Sequence, residues 1–442
     1  MLKYAQWIKL TACSLALAMV AISATGQDAK SRQLAIPATD ASLPVIHIDN
    51  GPNSAAALKA HYVVLVSLDG FRWDYARRDN AKNLLALGHD GAWAPEGMIP
   101  SYPSLTFPNH YTIVTGLYPE HSGLVANSFE DPVTHAKYAM SDSKAVTDGS
   151  WYNGTPLWSL AEGQGMRTAC LFWPGSEAKI AGYRPSYYLR FDDKVDDEAR
   201  IEQVIEWLKL PAADRPHFIT LYYSHPDHEG HLFGPDAPET VAAVHHVDEL
   251  VGKLRRELDA TALPIDLIVL SDHGMVKVEP DWVTIGQFVN LDGVETAGGQ
   301  LYPSDEAQRQ RIYNALNHAS EKFKAYRLKN VPKELHYDEN PREGDPVIVP
   351  TGPYAIRMHG PAPGKEDKAP IAGMHGFDPH SMPEMKASFF AAGPDILAGK
   401  ELKPFENVNV YPFIAHLLGL TAPKTDGSLS ILSGILKDKG GE

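Results

Sequence analysis

Residues 61–68, His61-Tyr62-Val63-Val64-Leu65-Val66-Ser67-Leu68, form a short apolar run rich in β-branched side chains. A run of this length without polar alternation predicts a strand covered on both faces. Similar runs recur at 168–173, 217–223, 265–270 and 387–392. Between them, residues 197–210 and 238–258 place apolar positions at helical spacing with charges in between, which predicts amphipathic helices. Strands alternating with helices predict an α/β fold, a mostly parallel sheet with helices on both faces. Residues 282–372 break the rhythm. They are polar, rich in Pro and Gly, and contain Gly360-Pro361-Ala362-Pro363-Gly364. This stretch is expected to be a small α+β insertion or cap on a single domain spanning 58–438.

The N-terminal pattern is different. Lys3 and Lys9 precede an apolar stretch from Leu10 to Ala24, no acid appears before Asp28, and small residues Ala21, Ser23, Ala24 and Gly26 follow or close the stretch. This predicts a secretory signal over 1–26, because the run is shorter and more interrupted than the roughly 20 apolar residues of a spanning helix. No stable membrane span is therefore expected, and the chain is read as exported, periplasmic or secreted. Polar, Pro-bearing residues 27–57 are expected to be a linker. Export permits disulfides, but of the two cysteines Cys13 leaves with the signal, and Cys170 lies in a buried-strand pattern. A lone buried Cys reads as a small core residue.

A formal net charge of −15 repels polyanions at long range. Long nucleic acid is excluded as the default partner, since binding it needs clustered Lys and Arg. A small anion drawn in by local cations fits better.

Three predicted strands end in acids or imidazoles: Val66-Ser67-Leu68-Asp69-Gly70, Leu221 through His231 with Asp227 inside it, and Leu270-Ser271-Asp272-His273-Gly274. In open α/β sheets, ligands bind beyond the carboxyl ends of the strands. Asp69, Asp227, Asp272 and His273 can then converge on one pocket, with His231 one turn further on. Carboxylate oxygens and imidazole nitrogens are what zinc accepts when no thiolate is at hand. Gly373-Met374-His375-Gly376 adds a His between glycines, which let backbone approach a site closely. Singly, each motif is an ordinary turn or loop; the recurrence at strand ends carries the reading. A hydroxyl nucleophile is sought in Pro103-Ser104-Leu105-Thr106-Phe107-Pro108-Asn109-His110. Ser and Thr before a helix are ordinarily N-caps, and on pattern alone Ser104 and Thr106 compete.

Asp69-Gly70-Phe71-Arg72, Thr106-Phe107-Pro108-Asn109-His110, Thr115-Gly116-Leu117-Tyr118-Pro119, Phe172-Trp173-Pro174-Gly175-Ser176, Pro226-Asp227-x-x-Gly230-His231, Ser271-Asp272-His273-Gly274-Met275 and His375-Gly376 together resemble the nucleotide pyrophosphatase/phosphodiesterase family of the alkaline phosphatase superfamily. The similarity runs in order from about residue 61 to 435. The chain lacks the Cys-rich modules attached to animal members, and the expectation is of a bacterial-type member.

The resemblance implies an alkaline-phosphatase-like fold and two zinc ions. One would be held by Asp227, His231 and His375, the other by Asp69, Asp272 and His273 with the Thr106 hydroxyl beside it. It implies a phosphodiesterase or nucleotide pyrophosphatase acting through a phospho-threonine intermediate on Thr106. Asn127 matches the family's phosphate-contacting Asn, and Phe107 and Tyr188 match positions that flank a nucleobase. Zinc makes a hydroxyl a usable nucleophile because it lowers the pKa of an oxygen it binds, for water from about 16 to about 7. Manganese or iron would accept similar ligands. Within the superfamily, a lysophospholipid or choline-phosphodiester hydrolase and a phosphomonoesterase are the alternatives. A monoesterase must neutralise an extra negative charge, and Asn127 is neutral. A sulfatase is disfavoured, since its nucleophile comes from Cys or Ser in a pattern that Thr106-Phe107-Pro108-Asn109 does not fit. A catalytically dead binding protein is argued against by the intact ligand set and the presence of Thr106.

Overall fold

A computed structural model describes residues 43–362 and 364–437; the expected signal over 1–26 lies outside them. The centre is a nine-stranded sheet. Its strands in chain order are β1 Ile46–His47, β2 Tyr62–Leu68, β3 Ala92–Trp93, β4 Thr168–Leu171, β5 Tyr187–Leu189, β6 Phe218–Tyr223, β7 Ile265–Leu270, β8 Phe389–Ala392 and β9 Lys400–Glu401. Across the sheet they run β1-β5-β4-β6-β2-β7-β8-β3-β9. The block β5-β4-β6-β2-β7 is parallel throughout. β8 joins it antiparallel to β7, and β1 pairs antiparallel with β5. All five apolar runs read from the sequence lie in this sheet. β1 falls in the stretch expected to be linker, where a two-residue strand leaves no periodic signal.

Alternation along each strand sorts the core into two layers. Val63 and Leu65 of β2 pack on one face with the helices α2 (Thr106–Thr115), α3 (Leu157–Gly163) and α8 (Val410–Leu417). Val64 and Val66 pack on the other, against α1 (Lys82–Asp90), α4 (Asp197–Leu208) and α6 (Pro238–Ala260). Burial on both faces is why these strands read as unbroken apolar runs. α4 starts where Asp196 accepts hydrogen bonds from the Glu198 and Ala199 N–H groups, an ordinary N-cap. A short helix, α5 (Asp227–Phe233), follows β6 directly.

Residues 282–372 hold small strand pairs, Val283–Thr284 with Ile356–Arg357, the hairpin Glu295–Ala297 and Gln300–Tyr302, and Phe323–Tyr326 with Val347–Pro350. Helix α7 (Glu306–Leu316) packs with them around Val283, Ile285, Leu301, Ile312 and Phe323. No helix among the described residues is long and apolar enough to cross a membrane.

Candidate active site

The carboxyl ends of three neighbouring parallel strands deliver the chemistry. Asp69 follows β2, Asp227 opens α5 after β6, and Asp272-His273 follows β7. The chain turns sharply after Asp69 because Gly70 has φ +66 and stands against Asp227, where an added Cβ would come within 2.9 Å of the Asp227 side chain. Only glycine accepts both conditions without strain. His231 lies one helical turn beyond Asp227, which brings its Nε2 to 3.3 Å from Asp227 Oδ2. His375, from the loop after the short strand Gly373–Met374, closes the group with Nε2 at 3.5 Å from Asp227 Oδ1 and 3.1 Å from His231 Nε2.

Beside it, His273 Nε2 lies 3.0 Å from Asp272 Oδ2 and 3.4 Å from Asp69 Oδ1. The His273 and His375 rings stack at 3.5 Å between centroids, joining the two groups. Donor atoms of Asp227, His231 and His375 all lie within 4.8 Å of one another. The same is true of Asp69, Asp227 and His273, and of Asp69, His110 and Asp272. The first triad is the one expected from the sequence; around the second position Asp227 and His110 stand as close as the expected residues.

Each of the three histidines is oriented from behind. Nδ1–H donates to Gly373 O from His231 (2.8 Å), to Ser104 O from His375 (2.8 Å) and to Gly274 O from His273 (2.9 Å). A carbonyl can only accept, so Nδ1 carries a proton in each ring and Nε2 is the nitrogen turned toward the carboxylates. That is how metal-ligating histidines are held. Tyr222 O–H donates to Asp69 Oδ2 at 2.6 Å.

The electrostatics call for cations. Asp69 Oδ1, Asp227 Oδ1 and Asp272 Oδ2 are buried with no hydrogen-bond partner among the described residues. Burial, with Asp272 and Asp227 adjacent, pushes the Asp69 carboxyl well above the usual carboxylate range. Asp272 goes the other way: against burial, His273 and His110 hold its carboxyl well below that range. Burial and the neighbouring His273 push His375 down to about 3, leaving a neutral imidazole, the form that binds metal. Buried acids crowded together are costly unless charge of the opposite sign lies between them. The donor set of carboxylates and Nε2 atoms fits divalent metal ions.

Thr106 opens α2, but as its first helical residue. The N-cap is Leu105, with no side-chain capping bond. The Thr106 hydroxyl is thus not spent on the helix and lies 3.3 Å from His273 Nε2. Ser104, its sequence competitor, is fully buried. Its Oγ donates to Phe377 O and accepts from the Gly376 N–H. The Asn127 Oδ1 accepts from the Phe107 N–H at 3.0 Å, so its amide N–H2 edge can face a ligand. Phe107 is half-buried beside Tyr138.

Tyr188 does not belong with these residues. It is 6% exposed in the core on β5, paired in the backbone ladder with Cys170 and Ile46. Three residues on, Phe191 is 52% exposed and stands edge-on to Tyr222, whose hydroxyl holds Asp69. Sequence reasoning missed Phe191, although an aromatic just past a strand end was there to find. It also missed His110, one turn after Thr106. His110 is fully buried, with Nδ1 2.9 Å from Thr106 O and 3.3 Å from Asp272 Oδ2, and Nε2 2.8 Å from Ser67 Oγ.

A mostly parallel sheet with clustered carboxylates and imidazoles at its carboxyl edge, and a hydroxyl beside them at a helix start, defines a site that can hold metal ions next to a nucleophile. Residues 63–378 match the type I phosphodiesterase / nucleotide pyrophosphatase family. The chain belongs to that family, and by membership is a phosphoric diester hydrolase. It is 37% identical to an uncharacterized pyrophosphatase/phosphodiesterase of Schizosaccharomyces pombe, over 83% of this chain and 78% of that protein. It is 34% identical to human ectonucleotide pyrophosphatase/phosphodiesterase family member 1, over 88% of this chain and 43% of that protein. A venom phosphodiesterase of Crotalus durissus collilineatus is 35% identical over 85% and 46% of the two chains. The chain thus spans less than half the length of the human and rattlesnake relatives. In structure it resembles murine ectonucleotide pyrophosphatase/phosphodiesterase 5, solved as an inactive Thr-to-Ala variant in complex with AMP. The TM-score is 0.78 at 28% identity, covering 85% of this chain and 100% of that one. These relatives are eukaryotic, which corrects the expectation of a bacterial-type member.

Proposed function

We propose that the chain is a two-zinc phosphodiesterase or nucleotide pyrophosphatase that cleaves nucleotide-like phosphodiester or pyrophosphate bonds through a phospho-threonine intermediate on Thr106. The observation that carries this is the Thr106 hydroxyl, unspent on helix capping, within hydrogen-bond reach of His273 Nε2 at 3.3 Å, at the join of the two donor groups.

Asp227, His231 and His375 would hold one ion; Asp69, Asp272 and His273 would hold the other, with Thr106 beside it. When bound, zinc would lower the pKa of an oxygen it touches and balance negative charge on the reacting phosphoryl group. Thr106 Oγ1 attacks phosphorus and the leaving alcohol or phosphate departs opposite it. Water then opens the phospho-threonine. Two in-line displacements give net retention at phosphorus. The Asn127 amide and the Thr106 backbone N–H at the start of α2 orient the non-bridging oxygens, as helix starts do for phosphates. Phe107 and Phe191 offer aromatic faces to a base, a contact worth about 1–3 kcal/mol that tolerates any base. The AMP bound to the murine relative favours a nucleotide over a choline or lysophospholipid substrate.

Purified protein should hydrolyse the p-nitrophenyl ester of thymidine 5′-monophosphate, lose that activity to a chelator and regain it with zinc. Turnover indifferent to chelator, or absent in metal-loaded protein, would defeat the reading. Export belongs to the same proposal: the recovered mature protein should begin near residue 27, as read by N-terminal mass spectrometry.

A further inference from the structure

Both polar groups of the peptide bond that follows Thr106 are gripped by side chains. His110 Nδ1–H donates to Thr106 O at 2.9 Å, and Asn127 Oδ1 accepts from the Phe107 N–H at 3.0 Å. Neither grip is needed to make a helix. The Phe107 N–H is among the first N–H groups of α2, which have no partner inside the helix. The Thr106 carbonyl ordinarily accepts from the N–H four residues on, and a carbonyl has a second lone pair to give. The plane of this peptide is thus fixed by side chains as well as by the helix. Thr is stiff at χ1, so a fixed backbone leaves Oγ1 few directions, and the one it takes lies 3.3 Å from His273 Nε2.

His110 is itself held on every side. Its fully buried ring stands edge to face with Trp173 at 5.0 Å and with Tyr222 at 5.3 Å. Nε2 bonds to Ser67 Oγ at 2.8 Å, two residues before Asp69. Trp173 Nε1–H donates to His110 O at 3.1 Å. The place would also suit a metal ligand: donor atoms of Asp69, His110 and Asp272 lie within 4.8 Å of one another, with Nδ1 3.3 Å from Asp272 Oδ2. A ligand, however, needs a ring nitrogen with a bare lone pair. Nδ1 carries the proton given to Thr106 O, and Nε2 is engaged by Ser67. Both nitrogens are already spent, one of them on the residue that bears the hydroxyl.

We propose that His110 is a positioning residue for the nucleophile: through Thr106 O it holds the first turn of α2 so that Thr106 Oγ1 stays turned toward the two donor groups. The proposal rests on the phosphodiesterase reading above. His110 touches no substrate and takes no proton; it acts only through the backbone of Thr106. What is at stake is the cost of a misplaced reacting atom, about 10²-fold in rate for an error of about 1 Å.

Variants that split the contacts of the ring test it. His110→Asn keeps a side-chain N–H at the place of Nδ1 and gives up Ser67, whereas His110→Gln reaches Ser67 and gives up Thr106 O. His110→Met gives up both and fills the space with an adaptable apolar chain. On the p-nitrophenyl ester of thymidine 5′-monophosphate, His110→Gln and His110→Met should lose about 10²-fold in kcat with KM within about threefold, the mark of an interaction that acts in the transition state. His110→Asn should keep kcat within about threefold of the unaltered chain, because the N–H to Thr106 O is kept. Values of kcat are taken per folded molecule from the unfolding curve, and either donor-free variant suffices if the other does not fold. Zinc affinity, read by chelator competition, should stay within about threefold in all of them, short of the about 10–100-fold lost with a group that orients a ligand, since Asp272 Oδ1 keeps the Gly70 N–H. Equal kcat in His110→Asn and the donor-free variants overturns the proposal. So does a fall in zinc affinity that matches the fall in kcat, which would make His110 act through the metal site. Either result leaves the enzyme reading standing as long as the unaltered chain turns over the ester. Failure of the metal-loaded unaltered chain to do so overturns both.

Discussion

Thr106 Oγ1 lies 3.3 Å from His273 Nε2 although the two residues are 167 positions apart. Ser104, two residues from Thr106, is tied instead to the loop that carries His375. Thr106→Ala should therefore lower kcat by at least about 10³-fold with the fold intact, since loss of an activated nucleophile costs up to about 10⁶. Ser104→Ala should mainly lose stability, by about 1–3 kcal/mol for the groups left unpaired, and keep measurable turnover. Steady-state kinetics with thermal unfolding separate the two, and the reverse pattern would move the nucleophile to Ser104.

Asp69, Asp227 and Asp272 each leave a buried oxygen without a hydrogen bond. Metal binding should stabilise the fold, by about 4 kcal/mol at a thousandfold excess over Kd. For a chain of this size that corresponds to a Tm fall of about 5 °C on chelation, recovered with zinc and read by calorimetry. Tyr222→Phe removes the hydrogen bond to Asp69 and should weaken metal binding by about 10–100-fold, the usual effect of losing a group that orients a ligand. Unchanged affinity in a chelator-competition titration would remove Tyr222 from that role.

Phe191 is half exposed at the site and Tyr188 is in the core. Phe191→Ala should raise KM for nucleotide esters by about tenfold, equivalent to 1.4 kcal/mol of lost stacking, with little change in Tm. Tyr188→Ala should instead destabilise by about 3–5 kcal/mol, as large-to-small core changes do. KM and Tm measured on both variants decide the assignment.

Glu343 sits buried with its carboxyl pushed up to about 10. A carboxyl whose folded pKa is raised binds a proton in the folded state that the unfolded chain has released. Its contribution is fully present below the unfolded value, near 4.5, and is lost as pH climbs toward 10. The Tm advantage of Glu343→Gln over the unaltered chain should thus grow from pH 4.5 upward and level off above 10. A difference flat with pH would mean that the carboxyl is paired and ionised throughout.

Cys170 is fully buried in β4, and burial pushes its thiol far above the range in which thiolate forms. It should react with a thiol reagent only after denaturation, checked by labelling with and without guanidinium.

The sequence alone determined the central strands, the flanking helices and the acids and imidazoles at the strand ends. Burial on both faces, helical spacing and Asp-Gly or Asp-His-Gly turns are local patterns, and each is written within a few consecutive residues. What the tertiary structure decided is whatever depends on which surface a distant segment covers. Residues 46–47 became an edge strand because β5 was there to pair with them. Tyr188 was taken into the core while Phe191, three positions away, stayed exposed. His110 reaches Asp272 across 162 residues of chain only because α2 packs over the end of β7. Glu343 meets Leu105 and His375 around one cavity through the packing of residues 282–372 on the sheet. Exposure and long-range contact are properties of packed neighbours, and no local period along the chain encodes them.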